Sequence, residues 1–172
     1  MPISTAMLAN MATVITNGPA TVTKASALAA AGPIMDYVGA CKLAYLKMQS
    51  ATNMVANLIS VTNSGDTTNY GYLANCQKLL TNAGIGTASA HVLTDMTALF
   101  IRVQAGTGMG ATTKAAIINP AGPLMDYVGN VSLLRKMLQE VQVLVTLLYG
   151  VTDSTTDATN YGLLGGLLLA LV

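Results

Sequence analysis

Residues 31–39 read AGPIMDYVG, and residues 121–129 read AGPLMDYVG. Eight of the nine positions match, and the ninth exchanges Ile34 for Leu124. The same 90-residue offset pairs Gly18 with Gly108, Thr23-Lys24-Ala25 with Thr113-Lys114-Ala115, and Val61-Thr62 with Val151-Thr152. After one extra residue the offset is 91, and Thr68-Asn69-Tyr70-Gly71 meets Thr159-Asn160-Tyr161-Gly162. A register held over most of a half-chain points to internal repetition. The expected organisation is a tandem duplication, with one unit over 1–85, a second over 86–172, and a pseudo-twofold relation between them. The boundary falls at Asn82-Ala83-Gly84-Ile85-Gly86.

Each unit reads as helical. Pro33 and Pro123 each follow a glycine, a good geometry for a first helical turn. From Ile34, apolar residues recur at Val38, Cys41, Tyr45, Met48, Val55 and Ile59, in steps of three and four with Thr52 between. That spacing predicts a long helix ending near Val61. Its copy runs through Leu124, Val128, Val131, Leu134, Leu138, Val141, Val145 and Leu148. The turn formers of 62–66 and 152–157 end these helices. Thr68-Asn69 and Thr159-Asn160 are the expected N-caps of a further helix in each unit. Upstream, 4–16 and 89–105 suggest a first helix, and 20–30 and 111–118 a short second one. The fold class expected is therefore all-α, with roughly four helices per unit.

The second long helix is apolar over much of its circumference, from Leu133 and Leu134 to Leu147 and Leu148, and so is the run Leu163 to Leu171. Apolarity most of the way round a helix implies burial on several sides. The composition agrees. Only 9% of the 172 residues are charged, eight Lys or Arg against seven Asp or Glu. Apolar residues, counted with glycine and without tyrosine, reach about 57% against a usual ~45–50%. A net charge of +1 offers little repulsion between copies. This balance excludes a disordered chain, a basic nucleic-acid binder and a disulfide scaffold. No signal peptide is visible at the start, Met-Pro-Ile-Ser-Thr-Ala-Met. No transmembrane segment is expected either. The stretch 131–151 holds Arg135, Lys136 and Glu140, each costing about 2.5–3.5 kcal/mol near a bilayer centre. The run 161–172 is too short to cross.

Groups suited to catalysis are few. The single histidine, His91, has no partner spacing for a metal or a triad. Cys41 and Cys76 are matched by Val131 and Leu167 in the second unit, so they read as small apolar fillers and free thiols. Gly-Thr-Gly-Met-Gly at 106–110 lacks the ending of a P-loop and reads as a helix terminator. Lys24 and Lys114 read as solvated lysines. Asp36 and Asp126 sit in first helical turns, where a carboxylate meets the helix dipole favourably. Gly39 and Gly129 are expected to admit a close neighbour. Met7 and Met11, four residues apart, read as core rather than as a groove.

The functional expectation is a non-enzymatic structural subunit of an ordered assembly, such as a virion component, a filament or a shell. No catalytic residue, metal site or cofactor is expected. The partners expected are further copies of the chain and other assembly proteins, with no nucleic acid. Apolar helix faces would hold the assembly, with Leu144, Leu147, Leu148, Leu164, Leu168 and Leu171 as its interface residues and the loop 152–157 open to added charge. The alternative is a protein that binds a hydrophobic ligand or a membrane surface.

Overall fold

The computed structural model describes residues 7–17, 37–62, 64–81, 92–105 and 127–172. Among the described residues the chain is all-helical. Its elements are α1 (Met7–Asn17), α2 (Tyr37–Val61), α3 (Thr67–Thr81), α4 (Val92–Gln104), α5 (Tyr127–Val151) and α6 (Ala158–Leu171). The long helices end at Val61 and Val151, where the turn formers begin. The short helices expected over 20–30 and 111–118 lie outside the described residues, as do Pro33, Pro123 and the boundary at 82–86.

The caps of α3 and α6 differ from expectation. Asp66 and Asp157 stand just ahead of the helices, and Asn69 and Asn160 lie inside them, fully buried. The Asp66 carboxylate accepts the Asn69 backbone N–H at 3.2 Å. Asp157 instead accepts the Asn160 side-chain amide at 3.1 Å. A carboxylate next to the positive end of a helix suits this place better than a threonine hydroxyl, which frees the asparagines to point inward.

The centre of the fold is the pair α2 and α5, which share its most extensive contact. They run antiparallel: Tyr37 at the start of α2 reaches Thr152 just past α5, and Tyr127 at the start of α5 reaches Thr62 just past α2. Lys47 and Glu140, both near mid-helix, form an ion pair between them. The four shorter helices close a ring in which α1 meets α6 and α3, and α4 meets α3 and α6. In the same way α1 and α3 pack on α2, while α4 and α6 pack on α5. Each extensive contact made by α1, α2 and α3 therefore has its equivalent among α4, α5 and α6. Buried positions of α1 and α4 also keep step: Met7 with Val92, Asn10 with Asp95, Met11 with Met96, Val14 with Leu99.

One hydrophobic core draws on all six helices. Met7, Met11, Met48, Leu58, Leu134, Leu138 and Leu148 are among its fully buried side chains. Cys41 and Cys76 are buried and in no disulfide, and Val131 and Leu167 at the matching positions are buried too. Gly165 lets α6 approach α5 closely, since a Cβ there would stand 3.3 Å from the Tyr149 ring. That ring stacks on Tyr161 with centroids 4.2 Å apart. Truncating Leu58 to Ala in this core should cost about 2–5 kcal/mol of stability. Truncating its exposed neighbour Asn57 should stay within about 0.5 kcal/mol of the parent, both read by urea denaturation.

Candidate functional site

The repeated motifs turn out to carry interhelical hydrogen bonds. The Thr62 hydroxyl gives its one hydrogen to the Leu58 carbonyl at 2.6 Å, so it accepts from the Tyr127 phenol at 2.5 Å. Thr152 does the same with the Leu148 carbonyl at 2.6 Å and the Tyr37 phenol at 2.9 Å. Each end of the α2–α5 pair is thus closed by a relay from phenol to hydroxyl to carbonyl. Burial pushes the Tyr37 phenol up to about 12, against a smaller opposite effect of the Thr152 hydrogen bond. Tyr127 is raised for the same reason, with Thr62 again opposing.

The repeated asparagines act similarly. Asn160 Oδ1 accepts from Asn17 Nδ2 on α1 at 2.8 Å, and Asn69 Oδ1 accepts from Arg102 Nε on α4 at 2.7 Å. Asn75 donates to the buried Asp95 carboxylate at 2.6 Å, joining α3 to α4. Burial, and secondarily the charge of Asp95, pushes the Cys76 thiol strongly up, so it stays protonated. Arg135 on α5 donates to Thr97 at 3.1 Å and lies over the Phe100 ring. The asparagines, Asp95 and the two arginines are thus hydrogen-bonded between helices of the fold. Sequence reasoning missed Tyr37, Tyr127, Asn69, Asn160 and Asp95 as interhelical contacts. The signal available was the retention of polar side chains at repeated positions inside apolar helices.

His91, Asp36, Asp126, Lys24, Lys114 and the glycine run 106–110 lie outside the described residues. Among the described residues no group of three or more His, Cys, Asp or Glu could hold a metal ion. No helix among them is long and apolar enough to cross a membrane.

Among the described residues each long helix keeps one exposed stripe, and Ile101, Leu169 and Val172 are exposed elsewhere. On α2 it passes through Leu43, Leu46, Ser50, Asn53 and Asn57; on α5 through Leu133, Lys136, Glu140, Val143 and Leu147. The stripes adjoin. Leu43 and Lys47 from α2 and Lys136, Gln139, Glu140, Val143 and Leu144 from α5 line an open groove of about 600 Å³. Exposure is high for such side chains: 57% at Leu46, 49% at Leu133, 59% at Val143. Of the six leucines expected at an interface, Leu147 is exposed and Leu168 half-buried, while Leu144 is nearly covered. Leu148, Leu164 and Leu171 are wholly buried in the chain's own core, because α5 and α6 pack against α4, α1 and one another. The loop 152–157 is also less free than expected. Thr152 is buried in its relay, and Asp153 accepts from the Thr155 N–H, the Thr155 hydroxyl and the Thr156 N–H.

Compared with known proteins, the chain matches no family model, no curated protein and no solved structure.

Removing either phenol tests the relays. Tyr37→Phe and Tyr127→Phe should each cost about 1 kcal/mol, and the costs should add because the sites lie at opposite ends of the pair. A phenol whose ionisation is raised on folding contributes stability that is complete below its unfolded value and is lost as pH rises past it. Stability should therefore hold up to pH ~10 and fall between about 10 and about 12, less steeply in Tyr37→Phe, as read by denaturation across that range.

Proposed function

We propose that this protein is a non-enzymatic structural subunit of an ordered assembly, a virion component, filament or shell, that associates through apolar helix faces. The observation that carries the reading is the outward face of α2 and α5. Leu43, Leu46, Leu133, Val143 and Leu147 stand exposed there, in a chain with only 15 charged residues to clothe its surface. Exposed apolar patches on this scale mark surfaces that are covered by a partner. We propose also that the chain is a tandem duplication, 1–85 and 86–172, with its copies related by an approximate twofold. The paired relays, the paired asparagine contacts and the matching contacts of α1–α3 and α4–α6 support this. A chain that presents one surface twice suits a lattice, where a single contact can be used in two near-equivalent places.

The alternative, a binder of a hydrophobic ligand, draws on the groove between Leu43 and Val143. Ligand pockets bury about 70–90% of a small molecule, and this groove is open to solvent. The subunit reading is therefore preferred.

Size-exclusion chromatography with negative-stain imaging of the purified protein tests it. Rings, tubes or sheets are expected, and a compact monomer would refute it. The assembly should weaken by no more than about tenfold when salt is raised to about 1 M, where the screening length is near 3 Å, because apolar contact rather than ion pairing supplies most of its free energy.

A further inference from the structure

We infer that the exposed stripe of α5 is a self-docking seam: two copies of this chain pair antiparallel, α5 against α5, about a twofold passing between Lys136 and Glu140. The inference rests on the assembly reading above and specifies its contact.

Leu133, Lys136, Glu140, Val143 and Leu147 are all exposed and follow one another in steps of three, four, three and four. The half-buried Gly129 precedes them by four more. Side chains at this spacing form one line along a helix, the spacing of a two-helix seam. The line is complementary to its own reverse. Turned end for end about its midpoint, Lys136 faces the Glu140 of the other copy, and Glu140 faces the other Lys136. Leu133 falls opposite Val143. Leu147 falls opposite Gly129, which brings no side chain of its own to the contact. The exposed stripe of α2 lacks this property. It begins with Leu43 and Leu46 but continues as Ser50, Asn53, Asn57 and Ser60.

Size and charge favour a second copy over other occupants. The α2–α5 face is two helices wide and 25 residues long. At 1.5 Å per residue and ~10 Å per helix the whole face covers about 750 Å², of which the α5 seam is about half, so the pairing is expected at the weak, reversible end of protein interfaces. Leu43 and Leu46 widen the apolar end of the seam beside Val143. Glu140 already pairs with Lys47 of its own chain, and would lie between that lysine and Lys136 of the other copy. With a net charge of +1, two chains do not repel. A membrane surface is a poorer fit, since the face lacks the lysine-rich polar band of interfacial helices.

The experiment is sedimentation equilibrium from about 1 to 100 µM, the range in which associations of −8 to −5 kcal/mol are read. It compares the parent with Lys136→Glu, Glu140→Lys and the double exchange, with circular dichroism to confirm folding. Each single reversal should weaken association about tenfold or more by setting like charges opposite one another. The double exchange should restore it to within about threefold of the parent, because opposite charges again meet. Glu140→Lys and the double variant lose the Lys47 pair alike, so the difference between them reads the contact between copies. Within α5 the exchange places glutamate ahead of lysine, the more favourable order, so the helix itself is kept. Association that ignores the single reversals, or that the double exchange fails to restore, overturns the seam and leaves the assembly reading standing. A parent that stays monomeric at the highest concentration overturns both, as does a monomer that takes up a fatty acid.

Discussion

The antiparallel contact between α2 and α5 is the constraint on which the other helices depend. Both helices are 25 residues long, and every shorter helix packs on one of them. Their facing surfaces are apolar, and apolar surfaces attract without fixing a register. The two tyrosine relays supply it. Each joins the first residue of one helix to the residue just past the other, so a slip of one turn would break both at once. A phenol or hydroxyl buried without a partner costs about 1–3 kcal/mol, which makes a slipped arrangement unfavourable rather than merely different.

The same division of labour extends through the molecule. Burial of leucine, methionine and valine supplies most of the free energy, and a few buried polar groups select one arrangement among many greasy ones. Asn69 and Asn160 do this for α3 and α6, each held by a side chain from a helix of the opposite half. Asp95 does it for α4 with a single asparagine amide. In a chain with so few charges, these hydrogen bonds carry the specificity that ion pairs supply elsewhere.

Much of the fold was legible in advance. Apolar steps of three and four, ended by clusters of turn formers, located both long helices to within a residue at their C-terminal ends. The burial of both cysteines followed from seeing valine and leucine at the matching positions, and the lack of a disulfide from their separation along the two helices. The surface was harder to read, for a definite reason. A helix apolar all the way round has no phase, so its sequence does not say which leucines face the chain's own core. Leu148, Leu164 and Leu171 face inward, while Leu133 and Val143, each next to a buried leucine, face out. The N-caps were misplaced because Asp66 and Asp157 stand within three residues of equally plausible threonines and asparagines. The asparagines' real partners lie on other helices, where no local rule reaches.

The packing of α1 against α6 has a consequence for how the chain is made. Asn17 and Asn160, which join these helices, are 143 positions apart. At a synthesis rate of about 5–20 residues per second, α1 leaves the ribosome roughly 7–30 s before its partner exists. During that interval Met7, Met11 and Val14 have no α6 to shelter them, and an 11-residue helix is too short to persist alone in water. The packing of α1 therefore stays unfinished until α6 arrives, so closure of the ring is a late, cooperative event that joins helices far apart in the sequence.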